Sequence, residues 1–249
     1  MTALSERTLA SIVTERHQAA AIFEKHNLDF CCRGKRTLTE ACAEKGLQVE
    51  NIAEEVQQAV TTVTKNQLPF SSMTAEQLVS YILIHHHFYV KQSMPTILAH
   101  IERVVTKHAD KFPYMTKVLE LFKEIRDEMT SHMQKEELVL FPRIKQVEAF
   151  FNAGNIAELP TGFISMPVEM MEAEHEQAGK ILDDIRQITN NYTAPENACT
   201  TFRVCLAELK EFEEDLHKHV HLENHLLFPL AQKMFTQQTE PASCCVIPR

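Results

Sequence analysis

Apolar residues recur at the three- and four-residue spacing of a helix along almost the whole chain. Before residue 66 the sets are Leu9, Ile12, Val13, Ile22 and Phe23, and then Ile52, Val56 and Val60. Between the two sets, Thr37 or Thr39 can cap a short helix that Gly46 ends. Residues 1–66 are therefore predicted to form a small helical domain. Pro and Ser in NQLPFSS (66–72) predict a linker after it.

Beyond the linker, the helical spacing continues in four longer stretches. Thr74 and Gln77 form a capping box at the start of the first. The predicted helices run from about residue 74 to 108, from Pro113 to beyond Pro142, from about 166 to 189 after a connection at 149–165, and from Pro195 onward. Four long helices with short connections predict an all-α, up-down four-helix bundle over residues 72–238. The tail, residues 239–249, has no helical pattern.

One stretch of the bundle occurs twice. Residues 132–142 read HMQKEELVLFP and residues 219–229 read HVHLENHLLFP. Each contains a His-x3-Glu pair, namely His132 with Glu136 and His219 with Glu223. On a helix both members of a pair lie on one face, where an imidazole and a carboxylate can converge on one metal ion. A single pair is more typical of an exposed helix surface. Here two pairs occur, and the same pattern of large apolar residues flanks both. Both pairs are therefore predicted to be buried and to need a partner such as a metal ion.

A lone histidine precedes each copy at nearly the same distance. His87 lies 45 residues before His132, and His175 lies 44 residues before His219. Each half of the bundle then contributes two histidines and one glutamate to the interior. Four imidazoles and two carboxylates suit iron, zinc or manganese. Two linked ions with open positions point to iron, so we predict two non-haem irons with an oxo or hydroxo bridge.

The remaining histidines have weaker claims as ligands. His85 and His86 adjoin His87, but each residue turns a helix by about 100°, so the three cannot all face inward. A stripe at i, i+4 spacing on another face of the fourth helix is predicted to be solvated surface, with adventitious metal binding as the alternative. Its members are His217, His221 and His225. Four more histidines are not part of any pattern of potential metal ligands, and these are His17, His26, His100 and His108.

Composition restricts the partners and the compartment. The chain has 249 residues, 44% of them hydrophobic, with five Gly, no Trp and a formal net charge of −9. Such a charge argues against binding to nucleic acid or to an anionic membrane surface. The sequence contains no run of 18 apolar residues and no signal-peptide pattern at its start. Seven cysteines without a disulfide framework predict reduced thiols and a cytoplasmic protein.

Residues 74–236 resemble the hemerythrin-like bundle of the iron–sulfur cluster repair proteins, also called repair-of-iron-centres or ScdA/YtfE proteins. The two repeated motifs and EAEHEQAG (172–179) carry the resemblance, and LDFCCRGKRTL (28–38) resembles the short Cys-Cys domain of that family. The resemblance implies a non-haem di-iron site in which two glutamates bridge the ions. Its ligands would be His87, His132, Glu136, His175, His219 and Glu223, the set that the repeat also gives. The tail with Cys244 and Cys245 departs from the family pattern.

The resemblance also implies a function. It indicates a stress-response protein that restores iron–sulfur clusters damaged by nitrosative or oxidative stress, by handling iron or nitric oxide. The expected partners are damaged iron–sulfur proteins and nitric oxide or dioxygen, and a homodimer is left open. One alternative is a hemerythrin-like sensor or carrier of dioxygen or nitric oxide. The other is a di-iron enzyme that reduces nitric oxide or peroxide, so whether the chain is an enzyme stays open.

The cysteine pair is a second candidate site. Cys31 and Cys32 are adjacent, and adjacent cysteines bond to each other only through a strained ring. Arg33 and Lys35 are expected to lower the pKa of a thiol beside them. We therefore interpret the pair as redox-active, nitrosyl-accepting or iron-handing thiols. The alternative is that both side chains are small hydrophobic residues in a packed core.

Overall fold

The structure, a computed structural model, describes residues 3–62 and 70–236. Over these ranges the chain is helical without a β-strand, apart from one isolated bridge between Thr8 and Thr37. The all-α prediction is therefore confirmed. Residues 66–69 of the predicted linker, the side chain of Val60 and the tail with Cys244 and Cys245 lie outside the described residues. None of the helices in the described ranges is long and apolar enough to cross a membrane.

The N-terminal part contains four short helices. These are α1 (Leu9–Glu15), α2 (Ala19–Lys25), α3 (Leu38–Lys45) and α4 (Val49–Thr62). Thr37, one of the two predicted caps, forms a capping box with Glu40 at the start of α3. Gly46 ends α3 in the left-handed region, with a φ of 66°, where glycine is favoured.

Residues 70–236 contain seven α-helices, several of which continue one another. They are α5 (Ala75–Tyr81), α6 (Phe88–His108), α7 (Tyr114–Lys135), α8 (Phe141–Ala153), α9 (Ser165–Ile188), α10 (Thr200–Leu222) and α11 (Phe228–Thr236). Three single π-helical segments join α5 to α6, α7 to α8 and α10 to α11, and they span Ile82–His87, Glu136–Leu140 and Glu223–Leu227. The result is four long rods, which we name helix A (α5–α6), helix B (α7–α8), helix C (α9) and helix D (α10–α11).

Two predicted boundaries are wrong. The connection assigned to 149–165 begins later, because α8 continues to Ala153 and ends at Gly154 with a φ of 76°. Helix D begins at Thr200 and not at Pro195. The Arg203 side chain donates hydrogen bonds to the carbonyl groups of Pro195 and Glu196, which holds this stretch as a loop.

The four rods form a closed bundle in which helix A packs against B and D, and helix C packs against B and D. Two apolar clusters fill it. One contains Phe122 and Phe212, whose rings meet edge to face at 5.5 Å, and the other contains Phe141 and Phe228 near the Phe-Pro ends of the repeats. The predicted ligand residues lie along the helices between the two clusters, so they are shielded from both ends.

The N-terminal domain packs directly on helices C and D. The ring of Phe30 contacts the rings of His217 and His221 at 6.2 Å and 5.5 Å. His217 Nδ1 lies 2.7 Å from a carboxylate oxygen of Glu24, and His225 Nε2 donates to the carbonyl of Cys31 at 2.6 Å. The prediction of a solvated histidine stripe is therefore wrong. The N-terminal domain covers this face, because its aromatic, acidic and carbonyl groups supply the partners that the imidazoles need.

Candidate metal centre

Six predicted ligand residues come from all four rods and meet in the interior. Helix A contributes one from its π segment, and helix C contributes one from its middle. Helices B and D each contribute a histidine and the first residue of the following π segment. The residues are His87, His132, Glu136, His175, His219 and Glu223, and none is more than 2% exposed. The duplicated spacing in the sequence thus corresponds to a pseudo-twofold arrangement in space.

The π segments in helices B and D have a visible cause in the sequence. Pro142 and Pro229 close the two repeats and lack a backbone N–H, so they cannot donate an α-helical hydrogen bond to the residue four positions earlier. In both repeats the turn just before the proline widens to a π turn, a feature that is frequent at functional sites. These segments were not predicted from the sequence, although the repeated proline was a signal for them.

The two glutamates each face both groups of histidines. Glu223 Oε1 lies 3.0 Å from His219 Nε2, and its Oε2 lies 3.2 Å from His175 Nε2. Glu136 Oε2 lies 3.3 Å from the Nε2 atoms of both His87 and His132. The potential ligand atoms form two clusters, each with two histidines, and both clusters include the same two glutamates.

The chemistry of these groups fits bound metal ions. Both oxygens of Glu136 and Oε2 of Glu223 are buried without a hydrogen-bond partner, as is Nε2 of His87. Unpartnered buried polar atoms are unfavourable, and a cation would satisfy them. The Nε2 atoms of His132 and His175 are 3.0 Å apart. Two imidazoles on one ion at about 2.0–2.1 Å, with an angle near 90°, would have the same separation.

The electrostatics favour the ionised carboxylates that a metal requires. Burial by itself would raise the pKa of Glu136 and of Glu223. The adjacent imidazoles overcome this effect and hold the pKa of both carboxyls below the usual value. Burial would lower the pKa of His132, but the carboxylates around it raise that pKa to about 10. Without an ion, protons would therefore supply the positive charge that the carboxylates need.

Three of the histidines are oriented by a second hydrogen bond from Nδ1. His87 donates to Glu137 Oε1 at 2.7 Å, His132 to Glu174 Oε2 at 3.0 Å, and His175 to Asn224 Oδ1 at 2.9 Å. Such partners fix the tautomer and orientation of a metal-binding imidazole. None of these three partners was predicted from the sequence. Glu137 and Asn224 directly follow the two glutamates of the repeat, and this matching position was the available signal.

The three adjacent histidines of helix A have different environments. His87 enters the site, His85 is exposed, and His86 is buried beside the site. His86 Nδ1 lies 3.0 Å from Asp215 Oδ1, and its ring stacks on that of His219 at 5.6 Å. In the pseudo-twofold arrangement His86 takes the position of Glu174, which also directly precedes a site histidine. His219 accordingly has no partner at Nδ1 within the described residues.

The cysteine pair lies at the contact between the two domains. Cys31 is buried, and Cys32 Sγ lies 3.6 Å from the carbonyl oxygen of His175 on helix C. The expectation that Arg33 and Lys35 lower the thiol pKa is wrong for Cys31. A hydrogen bond to Cys32, burial and the Asp29 carboxylate raise the pKa of Cys31 well above its usual value. Arg33 is exposed and contacts Glu44 instead.

Comparison with known proteins agrees with this architecture. Residues 78–231 match the hemerythrin HHE cation binding domain, and residues 5–60 match ScdA_N, a domain of unknown function. The iron–sulfur cluster repair protein YtfE of Cronobacter sakazakii is 34% identical over 229 residues, which cover 92% of this chain and 97% of that protein. The protein of the same name from Shigella boydii is 34% identical over 230 residues, 92% of this chain and 98% of that protein.

The relation extends over both domains. The Escherichia coli protein with this name is 33% identical over 230 residues, again 92% of this chain and 98% of that protein. The resemblance inferred from the motifs is thereby confirmed, and the bundle is a cation-binding domain. The chain belongs to the family of YtfE iron–sulfur cluster repair proteins, and its four-helix bundle is a hemerythrin HHE domain.

Proposed function

We propose that this chain is a di-iron protein that repairs iron–sulfur clusters damaged by nitrosative or oxidative stress. The supporting observation is that two pairs of buried histidines share the same two buried glutamates, Glu136 and Glu223. This arrangement suits two ions that are bridged by carboxylates. The repair role is supported by the names of the relatives, which match this chain over nearly its whole length.

In this proposal each residue of the site has a defined task. His87 and His219 would hold one ion through Nε2, and His132 and His175 would hold the other. Glu136 and Glu223 would supply carboxylate ligands to both ions. Glu137, Glu174 and Asn224 keep three of the imidazoles in the binding tautomer by accepting their Nδ1–H. The rings of Phe141 and Phe228 pack on His87 and His175 at 5.5 Å and 6.2 Å and limit the access of water.

The iron pair, when bound, supplies open coordination positions and one-electron chemistry for a small molecule such as nitric oxide or dioxygen. The damaged cluster protein is the partner, and iron is the cargo that the repair requires. Cys31 and Cys32 are assigned to this exchange because Cys32 contacts the backbone of a proposed iron ligand, His175. A simple carrier of dioxygen would have no use for such a thiol pair.

Iron analysis with matched histidine variants tests the metal assignment. The purified full-length chain should contain about two iron atoms, as in other carboxylate-bridged bundle sites. His87→Ala should lower the iron content and the reactivation of a nitrosylated iron–sulfur enzyme. His85→Ala is the control, because His85 lies in the same π segment but is exposed.

Two results would contradict the proposal. One is protein with about one zinc and no iron after expression in iron-rich medium, which a two-ion site would not give. The other is unchanged iron content in His87→Ala, because this change removes one of the two imidazoles from one ion. Iron at the expected level without reactivation of the damaged enzyme would agree with the di-iron centre and contradict the repair role.

A further inference from the structure

The two adjacent cysteines of the N-terminal domain have their sulfur atoms 3.9 Å apart. Asp29 fixes this geometry, because its Oδ1 accepts the backbone N–H of Cys31 at 3.0 Å and of Cys32 at 2.9 Å. The same oxygen lies 3.3 Å from Cys31 Sγ. A disulfide would need a sulfur separation of about 2.05 Å, so both residues are free thiols. Two sulfurs and one carboxylate oxygen therefore lie together in one loop.

The separations of these atoms fit a single tetrahedral ion. At a metal–sulfur distance of about 2.3 Å, two sulfurs on one tetrahedral ion lie about 3.8 Å apart. A carboxylate oxygen on the same ion, at about 2.1 Å, lies about 3.6 Å from each sulfur. The observed values are 3.9 Å between the sulfurs and 3.3 Å from Asp29 Oδ1 to Cys31 Sγ. All three residues offer ligand atoms within 4.8 Å of one another.

The loop faces a cleft between the two domains that is wide enough for an ion and a further ligand. The cleft has a volume of about 470 Å³. Its walls carry charged side chains of both signs, with Arg33, Arg36, Lys180 and Arg186 beside Glu24, Glu176 and Asp183. The positive charge of a bound divalent cation would itself offset the two thiolates and the carboxylate of Asp29. Water or a group of a partner can fill the fourth tetrahedral position from the cleft.

The loop also lies directly behind the bundle centre. Cys32 Sγ is 3.6 Å from the carbonyl oxygen of His175, whereas Nε2 of the same residue faces the proposed iron pair. Gly179, one turn further along helix C, has no side chain and leaves room for the sulfur, since an added Cβ there would lie 3.6 Å from Cys32 Sγ. Helix C thus lies between the two groups of ligands.

We propose that Asp29, Cys31 and Cys32 form a second metal site for a thiophilic divalent cation, separate from the bundle centre. Binding displaces the two thiol protons into solvent, forms two metal–sulfur bonds and one metal–oxygen bond, and leaves the oxidation state of the ion unchanged. The inference rests on the proposed function only for the role of the ion, which is iron in transit between the client protein and the bundle.

Cobalt(II) titration of the full-length chain tests this site directly. Cobalt bound by the histidines and carboxylates of the bundle has no sulfur ligand, so a thiolate-to-cobalt charge-transfer band reports cobalt on cysteine, and the Cys31 and Cys32 variants show whether that cobalt lies at the second site. The band should saturate at about one ion per chain and disappear in both Cys31→Ser and Cys32→Ser. Cys199→Ser is the matched control, because Cys199 is exposed and has its own imidazole neighbour, His108.

A further variant tests the carboxylate. Asp29→Asn keeps an oxygen that can accept the two backbone N–H groups but removes the charge. It should weaken cobalt binding at this site by about tenfold or more, with helix content unchanged by circular dichroism. Equal affinity in this variant would mean that Asp29 only anchors the loop, and it would overturn the three-residue site.

Other outcomes also decide the question. Absence of the charge-transfer band, or its loss in Cys199→Ser with retention in Cys31→Ser, would overturn the proposal. Iron in the bundle is measured independently through His87→Ala and His85→Ala. Normal bundle iron without a cobalt–thiolate band would therefore reject the second site and leave the proposed function intact. The band without bundle iron would support the second site and reject the di-iron assignment of the bundle.

Discussion

At the scale of single residues, the two halves of the metal centre are similar but not equal. In one half His87 donates to the carboxylate of Glu137, and in the other His175 donates to the amide of Asn224. A carboxylate increases the basicity of an imidazole more than a neutral amide does. The residues beside these histidines differ as well, since Glu174 stands where the other half has His86. The two halves of the site therefore place different charges around their histidines.

We expect Asn224→Ala to weaken metal binding by about 10–100-fold, because the change removes the acceptor that orients His175. Competition with a chelator of known affinity measures the effect. Asn197→Ala makes the same chemical change at an exposed turn and should have no effect. Asn224→Asp restores an acceptor and should retain binding. Loss of metal in Asn224→Asp equal to that in Asn224→Ala would show that the amide acts otherwise than as an acceptor.

At the scale of elements, the turn between helices C and D relies on buried polar groups. Asn190, Asn191 and Tyr192 follow α9 with φ values of 48°, 57° and 57°. Beneath this turn Glu213 of α10 is buried, and its Oε1 lies 3.6 Å from Arg186 Nη1 of α9. Burial raises the pKa of Glu213, although the positive charges of His217 and Arg186 oppose the shift. The connection thus contains a carboxyl group that is unfavourable in its ionised form.

The raised pKa of Glu213 gives a pH dependence with a definite sign. Below the unfolded-state pKa of about 4.3 the carboxyl is protonated in both states and contributes no difference. Between that pH and the higher pKa of the folded state, the carboxyl is ionised in the unfolded chain but still protonated in the folded protein. The free energy of unfolding therefore falls as pH rises through this range and becomes constant above the folded-state pKa. Glu213→Gln removes the ionisable group and therefore removes this fall in the free energy of unfolding. The stability of the variant relative to the parent protein should therefore increase above about pH 4 and then level off.

Urea denaturation at several pH values, with the same metal content in both proteins, measures this difference. A difference that stays constant from pH 4 to pH 8, or one that decreases, would contradict the assignment of burial as the dominant cause. Glutamine keeps the size of the side chain, so the comparison isolates the ionisation.

At the scale of the whole molecule, the two domains form one packed body. One of the two apolar clusters is shared between the domains, and it includes Phe23 and Phe30 of the N-terminal domain and Phe212 of helix D. The close approach depends on Gly34. A Cβ at this position would lie 2.1 Å from the carbonyl oxygen of Phe30 and 2.8 Å from His225 Nε2. The cysteine loop is therefore held against the bundle by direct packing contacts.

Two glycine substitutions should separate docking from metal binding. Gly34→Ala should destabilise the protein by about 1–3 kcal/mol through overpacking. Gly179→Ala places a Cβ at an ordinary 3.6 Å from Cys32 Sγ inside a helix, and it should be neutral or stabilise by up to about 1 kcal/mol. Chemical denaturation measures both effects. Both variants should keep the metal of the bundle, because all six proposed ligands lie in the bundle. Metal loss in Gly34→Ala alone would mean that docking supports the proposed centre.

Local spacing in the sequence was sufficient to predict the four long helices, their order and the six residues that meet in the bundle, but not the π segments or every helix boundary. These features depend on local spacing, since apolar periodicity defines a helix and a duplicated interval places His87 and His175 in equivalent positions. Glu137 and Asn224 were also within reach of the sequence, because they occupy matching positions after Glu136 and Glu223 in the two repeats.

Only the tertiary structure decided how the domains meet. His217 and Glu24 are separated by 193 positions, and no local pattern connects them. The stripe of His217, His221 and His225 has the spacing of an exposed helix face, and its burial depends on a separate domain that covers it. The position of Cys32 against the His175 carbonyl arises in the same way. Periodicity identifies which residues share one face of a helix. Long-range packing determines whether that face contacts water or another part of the chain.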